Sequence, residues 1–403
     1  MSKAAPIATW PSRHARRPAA WRISLLRRML ASLRYGTLAC TTPEGEVLVQ
    51  SGPLPGVTAK LVLHEWGAVR ALLLGGDEGF AESFLRGEWS SPDLTHFLTL
   101  AAQNFSTAHA PAWPLRLLHR LRHALHANTR KGARRNIMAH YDLGNAFYEA
   151  WLDPQMLYSS ALYRHPGESL DAAQLHKLAL IAEWLDLPPR GTVLEIGCGW
   201  GALSKLLGAL GAQVTGLTIS PAQLAHARAL IARHELDGTV DLALRDYRDE
   251  TARYDRIVSI EMLEAVGEAY WPAYFRALRD RLKPGGKAVL QVITIDAARF
   301  GAYRANPDFI QRHIFPGGML PARAHIAIHA KNVGLVPARV MHFGDSYALT
   351  IAAWRTRFLA AWPRLAAMGF DERFKRLWLY YLCYCEAGFR TGLIDVGLYE
   401  YLG

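Results

Sequence analysis

The period of apolar positions changes along the chain. From Trp21 to about Asn104, a helical stretch gives way to short alternating runs around Leu38, Val47 and Leu61, separated by Gly and Pro; helical spacing returns near Ala68 and Leu94. That succession predicts a small α+β unit over residues 21–105. Over residues 137–403 short buried runs alternate with helical spacing, which predicts strands at Thr192–Ile196, Val214–Ile219, Val240–Leu244, Tyr254–Ile260 and Ala288–Ile295. Strands alternating with helices make a parallel sheet covered on both faces, with ligands at the carboxyl ends of the strands. Lys283 to Lys287, containing Pro284, Gly285 and Gly286, predicts a turn before the last of these strands. The apolar stretch Leu377 to Cys385 predicts a helix that is either core or the wall of an apolar cavity.

The first strand, Thr192–Ile196, runs into Gly197, Gly199 and Gly201, and a helix with apolar spacing opens on that turn. Strand, glycine turn and helix are the plan of a Rossmann-like nucleotide site, where a side chain would block the approach of a ligand to the backbone. The spacing is Gly-x-Gly-x-Gly, without the Gly-x-Gly-x-x-Gly of dinucleotide enzymes and without a phosphate-binding Lys-Ser/Thr. A nucleoside lacking a pyrophosphate fits, as in S-adenosylmethionine methyltransferases; a glycine turn with no ligand is the plainer alternative. The fold class is therefore α/β, a Rossmann-like class I methyltransferase domain with a smaller N-terminal α+β unit.

Composition narrows the class further. At 403 residues with 51% hydrophobic content the chain can build a large core. No apolar run approaches the roughly 20 residues that span a bilayer. Cys40, Cys198, Cys383 and Cys385 make no disulfide framework or metal-ligand spacing, so no metal is expected and a reducing cytoplasm is. The formal charge of +11 is concentrated: eight Lys/Arg and no acid precede Cys40, and seven more lie between Ser106 and Tyr141. Residues 1–20 read as a flexible basic tail and 106–136 as a basic connector. In the connector Leu115, Leu118, Leu121 and Leu125 follow helical spacing with basic residues between them. Such a segment suits an anionic membrane surface; the alternative is a solvated helix packed on its own unit.

From His140 to the C-terminus the chain resembles the cyclopropane-fatty-acyl-phospholipid synthase family, including the mycolic acid cyclopropane synthases. The resemblance is carried in order by His140 to Tyr148, Leu152 to Ser159, Val193 to Gly201, Gly216 to Gln223, Tyr254 to Ser259, Phe315 to Gly318, Tyr347 to Trp354 and Arg376 to Arg390. It implies S-adenosylmethionine as cofactor, held by the turn Glu195, Gly197, Cys198, Gly199 and Gly201, with Tyr158 and Ser159 at its methionine end. Leu217 and Thr218 end the second strand without the usual ribose-binding acid, and Gln223 takes that role. Asp246, Tyr247 and Arg248 fall where the family lines the adenine.

The implied reaction is methyl transfer to the double bond of an unsaturated acyl chain in a membrane phospholipid. It leaves a carbocation, and the base that removes a proton decides between a cyclopropane and a methyl-branched chain. In the resembled synthases bicarbonate is that base, held by a Cys, a Glu, a His and a Tyr. Glu264 and Tyr347 persist here, but Ser160 stands at the Cys position and Gln291 at the His position. Retention of bicarbonate is thus open. An additional carboxylate, Glu261, lies three residues before Glu264. On one face of a helical turn the two would form a coupled pair with one pKa raised; otherwise Glu261 is a solvated side chain. Cys385 matches a Cys sometimes regarded as active, but its physics favours a buried small hydrophobe.

The resemblance also raises a homodimer, while the cysteine usage and the basic segments lead to the expectation of a cytoplasmic protein peripheral to the inner membrane. No recognition module supports nucleic acid as a partner. Two further readings stand beside this one: a small-molecule methyltransferase on the same scaffold, and a protein that binds S-adenosylmethionine and lipid without turnover.

Overall fold

The computed structural model describes residues 20–104 and 143–403. The basic connector and all but the last residue of the basic tail lie outside these, as does His140. The first part begins with helix α1 (Ala20–Leu30) and strands β1 (Tyr35–Thr41), β2 (Val47–Ser51) and β3 (Leu54–Leu63). Helix α2 (Gly67–Leu85), the short β4 (Trp89–Ser90) and helix α3 (Leu94–Asn104) complete it. These strands form a four-stranded sheet in the order β2-β1-β3-β4, with β1 and β3 parallel. The alternation expected around Leu38 and Leu61 is visible as burial: Leu38, Cys40, Leu61 and Leu63 face the core.

The second part follows the expected alternation. Helices α4 (Asn145–Glu149) and α5 (Leu170–Leu185) lead into β5 (Thr192–Ile196), α6 (Ala202–Ala209), β6 (Gln213–Thr218), α7 (Pro221–Arg233), β7 (Val240–Leu244) and β8 (Tyr254–Ile260). Next come α8 (Leu263–Val266), α9 (Trp271–Arg281), β9 (Leu282–Ile295), α10 (Ala297–Ala305), α11 (Phe309–His313), α12 (Arg323–Asn332) and β10 (Val336–His342). Two long helices, α13 (Gly344–Ala367) and α14 (Glu372–Arg390), precede the final strand β11 (Ile394–Leu402). The seven-stranded sheet has the order β10-β11-β9-β8-β5-β6-β7. Strands β5 to β9 are mutually parallel, and β11 runs antiparallel to both of its neighbours. Because β5 passes to β6 on one side while β8 returns on the other, the switch point lies between β5 and β8, where ligands bind at the carboxyl ends.

The predicted turn at 283–287 is absorbed into β9. Tyr254 pairs with Leu282 and Arg256 with Lys287, so the intervening residues loop out as a bulge in which Gly285 has φ +73°. Strands β10 and β11 extend the sheet beyond the five strands read from the sequence. β10 is an exposed edge strand, and exposed positions carry no apolar alternation to read.

Helix α14 joins the two parts. Its buried Glu386 accepts hydrogen bonds from Thr95 on α3 (3.1 Å), Arg355 on α13 (3.1 Å) and Arg390 (2.8 Å). Glu386→Ala would strand these three donors around a cavity. It is expected to destabilise the protein by about 2–4 kcal/mol, seen as a lower urea midpoint at unchanged slope; an unchanged midpoint would show that this junction contributes nothing.

Candidate active site

The glycine turn sits at the carboxyl end of β5. The N–H groups of Gly197 and Cys198 both donate to the carbonyl of Leu217 at 2.9 Å, which fixes the turn against β6. Gly199 has φ +52°, and a Cβ built there meets nothing within 4 Å, because its Cα faces an open cavity. Gly201 plays a different part: a Cβ there would press on Ala227 of α7 at 2.9 Å, so this glycine serves helix packing rather than the cavity wall.

The cavity has a volume of 820 Å³. Of the expected cofactor residues, Tyr158, Ser159, Glu195, Gly197, Cys198, Gly199, Leu217, Thr218, Gln223, Asp246, Tyr247 and Arg248 all line it. Thr218 donates to the Gln223 side-chain carbonyl at 3.0 Å, and the hydroxyl of Ser220 caps α7 by accepting from the Gln223 N–H at 3.3 Å. Asp246 grips Arg248 through two hydrogen bonds of 2.8 and 2.6 Å. Glu195 is buried and accepts from Ser204; burial pushes its carboxyl up to about 7.

The carboxyl end of β8 carries the other half of the site. Glu261 adopts φ +51°, a left-handed conformation that costs a non-glycine residue on the order of 1 kcal/mol or more. It therefore lies outside the helical turn, which starts at Leu263, and the expectation that Glu261 and Glu264 share a helical face is corrected. They are nevertheless electrostatic neighbours. Glu261 Oε1 accepts from the Ser160 N–H (2.9 Å) and from Gln291 Nε2 (2.7 Å), and its Oε2 accepts from the Tyr347 hydroxyl (2.7 Å). Burial raises the Glu261 carboxyl above its ordinary value, opposed by these three donors and by the charge of Lys177.

Glu264 has fewer partners. One oxygen accepts from the Ile293 N–H, and the other, on the wall of the cavity, is buried with no hydrogen-bond partner among the described residues. Burial, then the charge of Glu261, push it up to about 8, so Glu264 keeps its proton at neutral pH.

This arrangement settles the fit of bicarbonate. The backbone N–H of Ser160, the Gln291 amide and the Tyr347 hydroxyl, the donors that could receive an anion, all converge on the carboxylate of Glu261. The Ser160 hydroxyl does not face that point and donates to the Ala161 carbonyl at 2.9 Å. A second anion would be pressed against Glu261, so the residues do not fit bicarbonate. Cys385 does reach the cavity wall, but burial raises its thiol far above the ordinary range, which disfavours the thiolate.

Two groups went unread in the sequence. Lys177 on α5 is 2% exposed, donates to the Ser159 hydroxyl at 2.7 Å and is held down to about 8 by burial. It supplies the positive charge near Glu261 that the missing histidine would have given. A signal existed: Ala173, Gln174, Lys177, Leu178 and Ile181 share the buried face of α5, so the lysine occupies a core position of the helix. Tyr381 is the second; its hydroxyl pairs with that of Tyr158 at 2.8 Å, and the Tyr158 ring packs against Trp354 with centroids 5.3 Å apart.

Sheet order, switch point and glycine turn together define a Rossmann-like methyltransferase dependent on S-adenosylmethionine. The chain belongs to the mycolic acid cyclopropane synthetase family, whose model matches residues 128–398. It is 39% identical over 328 residues to the tuberculostearic acid methyltransferase of Mycobacterium tuberculosis, covering 79% of this chain and 77% of that one. It is 35% identical over 341 residues to the cyclopropane-fatty-acyl-phospholipid synthase of Escherichia coli, covering 82% and 84%. Among solved structures, mycolic acid cyclopropane synthase complexed with S-adenosylhomocysteine and CTAB aligns with TM-score 0.63 and 31% identity over 67% of this chain and 98% of that one.

The raised Glu264 carboxyl has a measurable signature. Its native pKa of about 8 lies above the unfolded value, so the native state keeps a proton that the unfolded chain releases. This contribution to stability is complete below the ordinary carboxylate range and is lost as pH rises through about 8. Glu264→Gln should therefore gain on the parent protein in urea unfolding as pH is raised from about 5 to about 9. Parallel stability profiles for the two proteins would disprove the shift.

Proposed function

We propose that this enzyme methylates the double bond of an unsaturated acyl chain carried by a membrane phospholipid, with Glu261 as acceptor of the proton released. The observation that carries this reading is the buried carboxyl of Glu261 beside the glycine turn, received by the Ser160 N–H, the Gln291 amide and the Tyr347 hydroxyl and opening on a large apolar cavity. S-adenosylmethionine supplies an electrophilic methyl group. Gly197 and Gly199 would give its backbone approach, Gln223 would hold the ribose, and Asp246 to Arg248 would line the adenine. Tyr158 and Ser159 would meet the methionine end, where aromatic faces suit a cation.

An isolated alkene is a weak nucleophile, so its alignment and the exclusion of water do most of the work. Tyr158, Tyr347 and Tyr381 wall the reacting region, and the Tyr158 and Tyr381 hydroxyls are engaged with each other. The cation that follows methyl transfer is discharged by loss of a proton to Glu261, whose negative charge also stabilises it in a low-dielectric site. Lys177, Tyr347 and Gln291 hold Glu261 ionised and in place. Loss from the transferred methyl closes a cyclopropane, and loss from a neighbouring carbon of the acyl chain leaves an unsaturated, methyl-branched precursor. Glu264, protonated, does not compete for the proton at neutral pH.

The Escherichia coli relative, a cyclopropane-fatty-acyl-phospholipid synthase, supports the phospholipid acyl substrate. The basic segments at 1–20 and 106–136 would hold the enzyme on an anionic surface at the cytoplasmic side of the membrane. Among the described residues no helix is long and apolar enough to cross one.

Incubation with monounsaturated phosphatidylglycerol vesicles and methyl-labelled S-adenosylmethionine, followed by NMR of the released fatty acids, is expected to show label in a cyclopropane or branched-methyl environment. Cofactor binding with no labelled lipid would leave a binding protein without turnover. Glu261→Gln should lower turnover by about 10²-fold or more while S-adenosylmethionine affinity stays within about twofold; unimpaired turnover would remove Glu261 from the reaction. Turnover is also expected to be unchanged in bicarbonate-free buffer, and a loss there reversed by added bicarbonate would contradict the assignment of the anion site.

A further inference from the structure

The 820 Å³ cavity does not end at the catalytic carboxylates. Its lining includes Glu264 and Phe309 and extends to residues of the N-terminal part of the molecule. There it is walled by Leu30 of α1, Leu72 of α2 and Phe97 and Ala101 of α3, and floored by Leu38 and Leu61 on the covered face of the four-stranded sheet. These positions would ordinarily close into a solid core, because protein interiors pack to crystal-like density. A void lined by leucine and phenylalanine stays dry and accepts hydrocarbon.

We propose that this chamber is the seat of the methyl-terminal segment of the substrate acyl chain, beyond the reacting double bond; the proposal rests on the acyl-chain reading of the active site. Two observations select this occupant. The chamber is continuous with the reacting region, so a chain whose double bond lies near Glu261 has a sheltered path into it. Its floor is a sheet face of buried leucines, so whatever enters must end there, and a phosphorylated headgroup would be stripped of its hydration. Where the two compartments meet, Glu78 is tied to Arg312 by an ion pair, and Asp308 accepts a hydrogen bond from Tyr384 at 3.4 Å. Charge in this neck is thus engaged within the protein. The smaller sheet precedes residue 128, where the family match begins, so the chamber is built by residues outside that match. Residues 21–105 are thereby assigned a part in selecting the acyl chain.

The test is photolabelling of the full chain, with S-adenosylhomocysteine present, on phosphatidylglycerol vesicles. One lipid probe carries a diazirine near the methyl end of its monounsaturated chain, and a second carries it near the carboxyl end. The methyl-end probe is expected to mark peptides spanning residues 26–38, 61–72 and 97–102 at least about 10-fold more than the carboxyl-end probe does. Adducts confined to residues 143–403, or stronger chamber labelling by the carboxyl-end probe, would overturn the proposal. A filling substitution, Ala101→Trp, provides a catalytic readout. It should cut turnover of octadecenoyl lipid about 10-fold, leave tetradecenoyl lipid within about twofold and not alter cofactor affinity; equal losses on both chains would count against the chamber. Labelling needs no turnover, so chamber adducts without methylated product would support the chamber and refute the reaction, while methylated product without chamber adducts would do the reverse.

Discussion

The site depends on one buried carboxyl group. Glu261 stands at the carboxyl end of β8 with its carboxylate satisfied by Ser160, Gln291 and Tyr347, drawn from three separate regions of the chain. An unpaired carboxylate in so apolar a place would take up a proton and cease to be a base. The donors and the nearby Lys177 oppose that, and in doing so they align the loop at Ser160, strand β9 and helix α13 around the same point. Glu264 then bears the proton, since two adjacent buried carboxylates cannot both ionise readily. The left-handed backbone of Glu261 is the conformational cost of aiming the carboxylate inward from a strand end.

Much of the fold was legible because its determinants are local. Buried parallel strands read as apolar runs, and the turn after β5 announced itself through glycines whose necessity the geometry of Gly199 makes plain. The edge strand β10 was not legible, since its exposed positions carry no alternation. At the site, residue identities were readable, but their contacts were not. Ser160 acts through its backbone, which any residue would offer, so its substitution for Cys says less than the arrival of Glu261. The nearness of Glu261 and Glu264 was anticipated for the wrong reason, because helical spacing was assumed where the backbone turns left-handed.

Volume is a further property that a sequence conceals. Leu38, Leu61 and Phe97 look like ordinary core residues of a small α+β unit, and nothing in their order distinguishes a filled interior from a hollow one. Only the placement of three helices over the sheet makes the difference. The apolar helix α14 was read as either core or cavity wall, and it is both: Tyr381 and Cys385 border the cavity, while Cys383 and Glu386 face the interior.

That double duty bears on how the protein is made. Thr95 and Glu386 are 291 residues apart in sequence, yet they meet in the finished molecule. At ribosomal speeds of roughly 5–20 residues per second, α3 waits about 15–60 s for the helix that will cover it. Throughout that interval the nascent N-terminal part presents an uncovered apolar flank to solvent. Its vulnerable moment therefore falls during translation, and chaperone supply is expected to limit its yield more than the stability of the completed fold does.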